Sequence, residues 1–298
     1  MKWQTTLSSY RNYLKIERGL SQNSINSYVM DIEKLISFLD ENKILVTPLT
    51  ITDEEIQQFV YSVAQKINPR SQARLISGLK SFFKYLIFEG YRKESPMELI
   101  ETPKTGRKLP DTLSEEEIDK LIGAIELTSP EGERNRAILE TLYGCGLRVS
   151  ELTNLKCSDL FFDEGFIKIT GKGNKQRLVP IGAHTQRYIS LYINEIRNHL
   201  TPKKGHEDYV FLNRHGKQLT RAMIFTIIRN LATSIGLKKT ISPHTFRHSF
   251  ATHLLQNGAN LRAIQQMLGH ESITTTEVYM HLDRTHLQEI VTMHHPRK

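Results

Sequence analysis

The sequence predicts a mainly α-helical protein of two domains, the second of which contains a small antiparallel β-sheet. Three observations support this prediction. Apolar residues recur at helical spacing over most of the chain, a stretch rich in Pro, Gly and basic residues interrupts this periodicity, and one segment alternates apolar and polar residues around a Gly-Asn pair. At 298 residues the chain is also long enough to form two hydrophobic cores of moderate size.

The N-terminal third is predicted to form a bundle of about four helices. A short helix is expected near residues 3–18, and three apolar stripes at helical spacing indicate the others. The stripes consist of Ile25, Tyr28, Ile32, Leu35, Ile36 and Leu39, then Ile56, Phe59, Val60 and Val63, then Leu75, Leu79, Phe82, Phe83 and Leu86. We therefore expect a helical domain over residues 1–101.

Residues 102–113 are predicted to be a linker, because they break the helical periodicity and carry several basic side chains. The residues responsible are Pro103, Gly106 and Pro110, together with Lys104, Arg107 and Lys108. A basic linker between two domains suits contact with a phosphate backbone. A solvated connector explains the same composition equally well, so both interpretations stay open.

The second domain, expected over residues 114–298, is predicted to be mainly helical around one β-hairpin. The hairpin lies in "GFIKITGKGNKQRLVPI", which turns at Gly173 and Asn174. A short strand is expected at "DYVFL", residues 208–212. Helix boundaries are indicated by Ser114 and Glu117 in a capping box, by Gly144 and Gly146 after "RNRAILETLY", and by Gly236 within "TRAMIFTIIRNLATSIGL".

The charge of the chain favours a polyanionic partner. The net charge is +8 and the isoelectric point is near 9.3. Residues 1–103 hold 13 Lys and Arg against 12 Asp and Glu, whereas residues 104–298 hold 27 against 20, so the second part carries a net charge of +7. Nucleic acid is the partner that this distribution suggests, although solvated lysines would produce the same balance.

Cysteine content and hydropathy bear on the compartment. The chain has 2 cysteines, Cys145 and Cys157, which suits a reducing environment and forms neither a disulfide framework nor a cysteine zinc cluster. No apolar run approaches the roughly 20 residues of a membrane-spanning helix, and the first residues lack the apolar core of a signal peptide. We expect a cytoplasmic protein without membrane association.

The stretch "SPHTFRHSFATHLL" places two imidazoles and a guanidinium close together. His244 and His248 have the spacing of helical zinc ligands, but no carboxylate lies between them and Arg247 adds a fixed positive charge, so a metal site is disfavoured. His248 and His253 are expected to be packed helix residues. With Ser242 as N-cap and Pro243 in the first turn, His244 and Arg247 can share one anionic ligand, such as a phosphate.

Three further segments contain residues suited to phosphate chemistry. Arg148 follows two glycines in "GCGLRVSEL", at a predicted helix N-terminus. The helix dipole disfavours a cation there, so a surface arginine without a function is the less favoured interpretation. Basic side chains mark the hairpin tip, and "MLGHESITTTEVYMH" supplies His270 and Tyr279. A phenol with an ordinary pKa near 10 needs nearby imidazole or guanidinium groups to act as a nucleophile. The hairpin residues are Lys172, Lys175 and Arg177.

In this order and spacing, "GCGLRVSEL", "GKGNKQRLVPI", "HTFRHSFATHLL" and "MLGHESITTTEVYMH" resemble the catalytic domain of tyrosine site-specific recombinases, most closely the Xer type. The helical N-terminal region resembles the SAM-like core-binding domain with which that family clamps DNA. The resemblance therefore covers almost the whole chain. It implies the tyrosine recombinase fold, and it implies no metal, cofactor or ATP.

The resemblance also implies a role for each site residue. Tyr279 would attack a DNA phosphodiester, form a 3′-phosphotyrosyl link and release a 5′-hydroxyl. Arg148 and Arg247 would hold the non-bridging oxygens, and Lys172, at the "GKG" position, would protonate the leaving oxygen in preference to Lys175. The remaining members of the phosphate clamp would be His244 and His270, one of which assists proton removal from the tyrosine.

By resemblance, the function is chromosome dimer resolution at a dif-like site during cell division. The implied partners are double-stranded DNA, a homo- or hetero-tetramer with a second Xer-type recombinase, and an FtsK-type translocase as activator. Two alternatives stay open: a mobile-element integrase with the same chemistry, and a non-catalytic DNA-binding protein. The expected C-terminal exchange helix, at about residues 284–298, carries Leu287, Ile290 and Val291, and would dock on a neighbouring protomer or on its own domain.

Overall fold

The computed structural model describes residues 2–103, 111–269 and 280–297, with the side chains of Lys172 and of residues 280–286 excepted. Backbone contacts divide the chain into two compact units, Met1–Lys108 and Leu109–Lys298. Most of the linker predicted over residues 102–113 lies outside the described residues, so its boundaries stay a prediction.

The first unit contains α-helices formed by the stripes seen in the sequence. They are α1 (Trp3–Ile16), α2 (Gln22–Glu41), α3 (Asp53–Ala64) and α4 (Pro69–Phe88). Asn68 caps α4 by accepting the Ser71 N–H at 2.9 Å, and Pro69 occupies the first helical turn. All members of the three stripes are buried or half-buried in one core, which confirms the predicted helical bundle.

The second unit is mainly helical with one small sheet, as predicted. Its helices are α5 (Glu115–Gly123), α6 (Pro130–Gly144), α7 (Val149–Thr153), α8 (Ala183–Leu191), α9 (Arg221–Ser234), α10 (Pro243–Gln256), α11 (Leu261–Leu268) and α12 (Met280–His294). Its strands are β1 (Leu160–Phe161), β2 (Phe166–Thr170) and β3 (Gln176–Pro180).

The sheet is antiparallel in the order β1-β2-β3, and its second hairpin turns where the sequence predicted. Gly173 and Asn174 both adopt positive φ, at 72° and 60°. These values suit a tight turn, which explains the Gly-Asn pair. The register pairs Ile169 with Arg177.

The strand predicted at residues 208–212 is wrong. Instead of one ladder, this buried segment bonds to two different neighbours in turn. The Val210 N–H donates to the Leu155 carbonyl at 2.9 Å, whereas the Phe211 carbonyl accepts from Leu219 at 3.1 Å. Because the partner changes within two residues, isolated bridges form at Tyr209 and Leu212 instead of a strand.

The core of the second unit lies around α6, α10 and α12. Phe246 and Phe250 of α10 are fully buried. Leu287, Ile290 and Val291 of α12 are buried in the same core, so this helix docks on its own domain. The exchange helix expected at about residues 284–298 corresponds to a helix that ends at His294.

Candidate active site

The structure brings Arg148 and Arg247 together and leaves other predicted site residues outside its description. Both guanidinium groups donate to the Leu268 carbonyl oxygen, at 3.3 and 2.6 Å. Lys172 begins the turn between β2 and β3, but its side chain is not among those described. His270 and Tyr279 lie outside the described residues.

Two glycines position Arg148 at the start of α7. Gly144 is the last residue of α6, and Gly146 has a φ of 58°, a conformation that other residues rarely adopt. A Cβ atom at Gly146 would overlap the ring of Phe250. The chain between α6 and α7 therefore lies directly against α10, which carries Arg247.

Helix α10 begins as the sequence predicted. Ser242 is the N-cap residue, its N–H donates to the Thr245 hydroxyl at 3.1 Å, and Pro243 is the first helical residue. His244, in the first turn, is exposed. Arg247, one turn further along, is buried.

Arg247 joins two backbone segments through its guanidinium. It donates to the Gly146 carbonyl at 2.8 Å and to the Leu268 carbonyl at 2.6 Å. Burial, together with the positive charge of Arg148, lowers its pKa to about 10. The group stays charged at neutral pH, so the site contains a fixed cation held in one orientation.

Glu151, which the sequence analysis did not single out, lies at the centre of this arginine cluster. Its buried carboxylate accepts two bonds from Arg177, at 2.8 and 2.9 Å, and one from the Arg148 guanidinium at 2.9 Å. A further bond comes from the Arg148 N–H at 2.9 Å, and Arg247 lies 3.9 Å away. The available signal was the capping-box position of a Glu three residues after Arg148.

The ionisation of Glu151 reflects these contacts. Burial would raise its pKa, but the hydrogen bonds and charge of Arg177, together with those of Arg148, lower it to about 2. The carboxylate is therefore ionised at neutral pH. With Arg148, Arg177 and Arg247 also charged, the cluster of these four residues carries two net positive charges, which suits an anion such as a phosphate diester.

Arg177 was grouped with Lys172 and Lys175 at the hairpin tip, whereas the structure places it within a strand. It lies in β3 with a side chain 16% exposed, and its Nε donates to the Met267 carbonyl at 2.9 Å. The strand alternation explains the difference, because the residue points to the face on which α7 and α11 pack. Arg148, 36% exposed, is the most accessible of the three arginines.

The histidines on α10 divide between surface and core. His248 is exposed, so the prediction that it is packed is wrong, because it falls on the same outer face as His244. His253 is buried as predicted, and its Nδ1 lies 2.7 Å from the Tyr143 hydroxyl. Within residues 2–103, 111–269 and 280–297, no group of three side chains is arranged to hold a metal ion.

Two family models match the chain. One, for the phage integrase family, matches residues 111–286, and the other, for the phage integrase N-terminal SAM-like domain, matches residues 7–90. The chain belongs to the phage integrase family. The family predicted from the four sequence motifs is thereby confirmed.

Relatives narrow the class of this integrase-family member. It is 41% identical over 292 residues to the tyrosine recombinase XerD of Listeria monocytogenes, with 98% of each chain covered. It is 42% identical over 295 residues to XerD of Staphylococcus haemolyticus, with 99% of each covered. The protein is therefore a tyrosine recombinase of the Xer type, an enzyme that acts on DNA.

A solved structure shows the same fold. The XerH site-specific recombinase, crystallised with its difH substrate in a pre-cleavage complex, superposes with a TM-score of 0.69 at 23% identity. The alignment covers 96% of this recombinase and 81% of XerH. In the described parts of this recombinase, none of the helices has the length and apolar character needed to cross a membrane.

Proposed function

We propose that this recombinase cuts and rejoins DNA at a dif-like site through a 3′-phosphotyrosyl intermediate, and so resolves chromosome dimers at cell division. The observation that supports this most is the pairing of Arg148 with Arg247 on the Leu268 carbonyl. The names of the XerD relatives and the difH substrate of XerH support the choice of a dif-like site.

The paired arginines suit a phosphorus atom under attack. Guanidinium groups offer planar forks of donors that match phosphate oxygens and stay charged at neutral pH. Arg247 is fixed by two backbone carbonyls, whereas Arg148 is the more exposed and is the one we assign to first contact with the phosphate. Charge that develops in the transition state would meet donors that are already in place.

Tyr279 is the proposed nucleophile. Its phenolic oxygen forms a bond to phosphorus as the bond to the 5′ oxygen breaks, with its proton passing to His270 or His244. Lys172 is the proposed acid that returns a proton to the 5′ oxygen. The phosphotyrosyl ester retains the energy of the broken diester, so attack by a 5′-hydroxyl reverses the reaction without ATP or a metal.

The proposed assembly combines the predicted domain organisation with the partners that the family resemblance implies. Residues 1–101 would bind DNA as the core-binding domain, residues 102–113 would link it to the catalytic domain, and residues 114–298 would cut the strand. The partners would be a second Xer-type recombinase or further copies of this chain in a tetramer, and an FtsK-type translocase, in the cytoplasm. Exchange of α12 between protomers would require its apolar face to leave its own core.

A suicide substrate tests the nucleophile. A dif-like duplex, nicked close to the cleavage point, loses a short fragment after attack and traps the covalent adduct. We expect an adduct with the unaltered recombinase and none with Tyr279→Phe. An undiminished adduct in that variant would exclude Tyr279 as nucleophile.

Two further arms separate the remaining alternatives. Excess chelator should leave adduct formation unchanged, and loss of activity would point to a metal. A mobile-element integrase would form adducts on the ends of an integrated element in preference to a dif-like site.

A further inference from the structure

Arg177 directs its guanidinium into the arginine cluster from the hairpin. Two of its nitrogens bond to the two carboxylate oxygens of Glu151 at 2.8 and 2.9 Å, and the third bonds to the Met267 carbonyl at 2.9 Å. These bonds engage all three guanidinium nitrogens of Arg177. The Arg177 side chain is also less exposed than that of Arg148, at 16% against 36%.

The end of α11 is shaped around Arg177. Gly269, which follows α11, has a φ of 65°, and a Cβ atom there would stand 3.1 Å from the Cδ and 3.2 Å from the Nε of Arg177. Arg177 bonds the Met267 carbonyl, and the other two arginines bond that of Leu268. The last carbonyls of α11, at the negative end of its dipole, are thus satisfied by fixed cations.

Glu151 divides its charge among these cations. Its Oε1 atom accepts from both Arg148, at 2.9 Å, and Arg177, at 2.8 Å. If Arg177 were absent, the same carboxylate would face Arg148 and Arg247 alone, and its full charge would act on the groups proposed to hold the phosphate. Arg177 therefore leaves Arg148 oriented and still able to attract an anion.

We propose that Arg177 is a positioning residue for DNA cleavage, which acts through Glu151 and the Met267 carbonyl to aim Arg148 without contacting the phosphate itself. This inference rests on the proposed function, in which Arg148 and Arg247 hold the scissile phosphate. A residue of purely structural importance would change the stability of the fold, but it would not change the cleavage rate of the folded, DNA-bound protein.

The test compares full-length variants on the nicked dif-like duplex, with the dissociation constant and the adduct-formation rate measured separately. For Arg177→Gln we expect a rate about 100-fold lower, as for misplacement of a catalytic group, with DNA affinity unchanged within a few-fold. Arg177→Lys, which keeps the charge but loses the fork, should retain more activity and serves if the Gln variant does not fold.

A double-mutant cycle tests whether Arg177 acts through Glu151. If it does, Arg177→Gln and Glu151→Gln together should slow cleavage by much less than the product of the two single effects. The rate of the single Arg177→Gln variant, relative to that of the unaltered recombinase, should also rise as the pH is lowered, because burial then raises the pKa of Glu151 against only Arg148 and Arg247, and protonation removes the charge that acts on them. The double variant should lack this dependence.

Arg197 provides the matched control. It is another buried arginine of the same unit, and its Nε donates to the Tyr209 carbonyl at 2.9 Å, away from Glu151. Arg197→Gln should lower stability without lowering the cleavage rate of the folded protein. Wild-type rates in both Arg177 variants, or multiplicative effects in the cycle, would overturn the inference. An adduct that persists in Tyr279→Phe would instead remove the proposed nucleophile.

Discussion

Arg148, which precedes α7, and Arg247 of α10 share one acceptor, the Leu268 carbonyl oxygen, although they are 99 positions apart in the sequence. Two guanidinium groups that bond the same oxygen atom carry like charges close together and repel each other. Because Arg247 is buried, solvent screens this repulsion less. The carboxylate of Glu151 offsets it, since it bonds Arg148 and lies 3.9 Å from Arg247. The carbonyl and the carboxylate together hold the pair in position.

Replacement of Arg247 by Lys should separate geometry from charge. A lysine keeps the charge, but its three donors share one nitrogen, so it cannot reproduce the planar fork in which two separate nitrogens of Arg247 reach the Gly146 and Leu268 carbonyls. We expect adduct formation to slow by about 100- to 1,000-fold, as for loss of one preorganised donor. Reactions on the suicide substrate, stopped at successive times, measure the rate of adduct formation.

The control for that substitution is Arg134→Lys, since Arg134 is also buried and donates to a carbonyl, that of Leu212, at 3.3 Å. It should leave the rate within a few-fold of the unaltered recombinase. An equal loss in both variants would show that the effect of Arg247→Lys reflects general damage to the fold.

Glu151 should make the free energy of unfolding depend on pH in the acidic range. Its folded pKa of about 2 lies below its ordinary value of 4.5, so the ionised form is favoured by folding. The contribution is present above the ordinary pKa and is lost as the pH falls from 4.5 towards 2. At neutral pH, Glu151→Gln should lower the free energy of unfolding by about 3 kcal/mol.

Denaturant titrations of both proteins at pH 7 and at pH 3 check this expectation. The difference in the free energy of unfolding should narrow at the lower pH, where the unfolded chain binds a proton at Glu151 that the folded chain does not. A constant difference at both pH values would show that the ionisation of Glu151 does not stabilise the fold.

The sequence predicted the parts of the fold that depend on local patterns. The start of α10 at Ser242 and Pro243, and the hairpin turn at Gly173 and Asn174, follow from capping and turn chemistry confined to a few residues. The arrangement at Glu151 could not be predicted in this way, because its partners come from β3 and α10 and meet only after tertiary packing.

Periodicity alone also misplaced some polar side chains. His248 has the same spacing from His244 as a pair of packed residues would have, yet both are exposed. Phe246 and Arg247 lie on the opposite face of α10, and that face is the one buried in the core. Arg177 was grouped with the basic residues of the hairpin tip. Its burial follows from the strand register opposite Ile169, which the sequence does not specify.

Gly146→Ala should destabilise the catalytic domain more than a typical glycine substitution. The new Cβ would overlap the buried Phe250 ring, and the φ of 58° is itself strained for alanine. We expect a loss of about 3 kcal/mol from the two effects together. Adduct formation should also slow, because the Gly146 carbonyl is one of the two acceptors that hold Arg247.

Gly236→Ala isolates the effect of the backbone. Gly236 has a similar φ of 65°, but a Cβ there would meet nothing within 4 Å. Its loss of stability should be about 1 kcal/mol, with no change in cleavage rate. Equal losses for both glycines, measured by denaturant titration, would show that Phe250 yields to the added methyl group.

The C-terminal segment should be held more weakly in mild acid. His295, which follows α12, is fully buried, with its ring 4.7 Å from Tyr143 and 5.2 Å from Phe250. Burial lowers its pKa from 6.5 to about 3, and the nearby charge of Arg297 acts in the same direction. The unfolded chain therefore binds a proton between pH 6.5 and 3 that the folded chain does not, so stability falls as the pH falls through this window.

His295→Phe removes this titration while keeping an aromatic ring against Tyr143 and Phe250. The steepest contribution of one such group is about 1.4 kcal/mol for each pH unit, so between pH 6.5 and pH 5.5 the variant should lose less stability than the unaltered chain by up to about this amount. His253, whose pKa is also lowered by burial, remains in both proteins and supplies a shared background. Identical pH dependence in the two denaturation series would show that His295 is already protonated in the folded state or exposed in solution, and the anchoring of α12 would then depend on its apolar face alone.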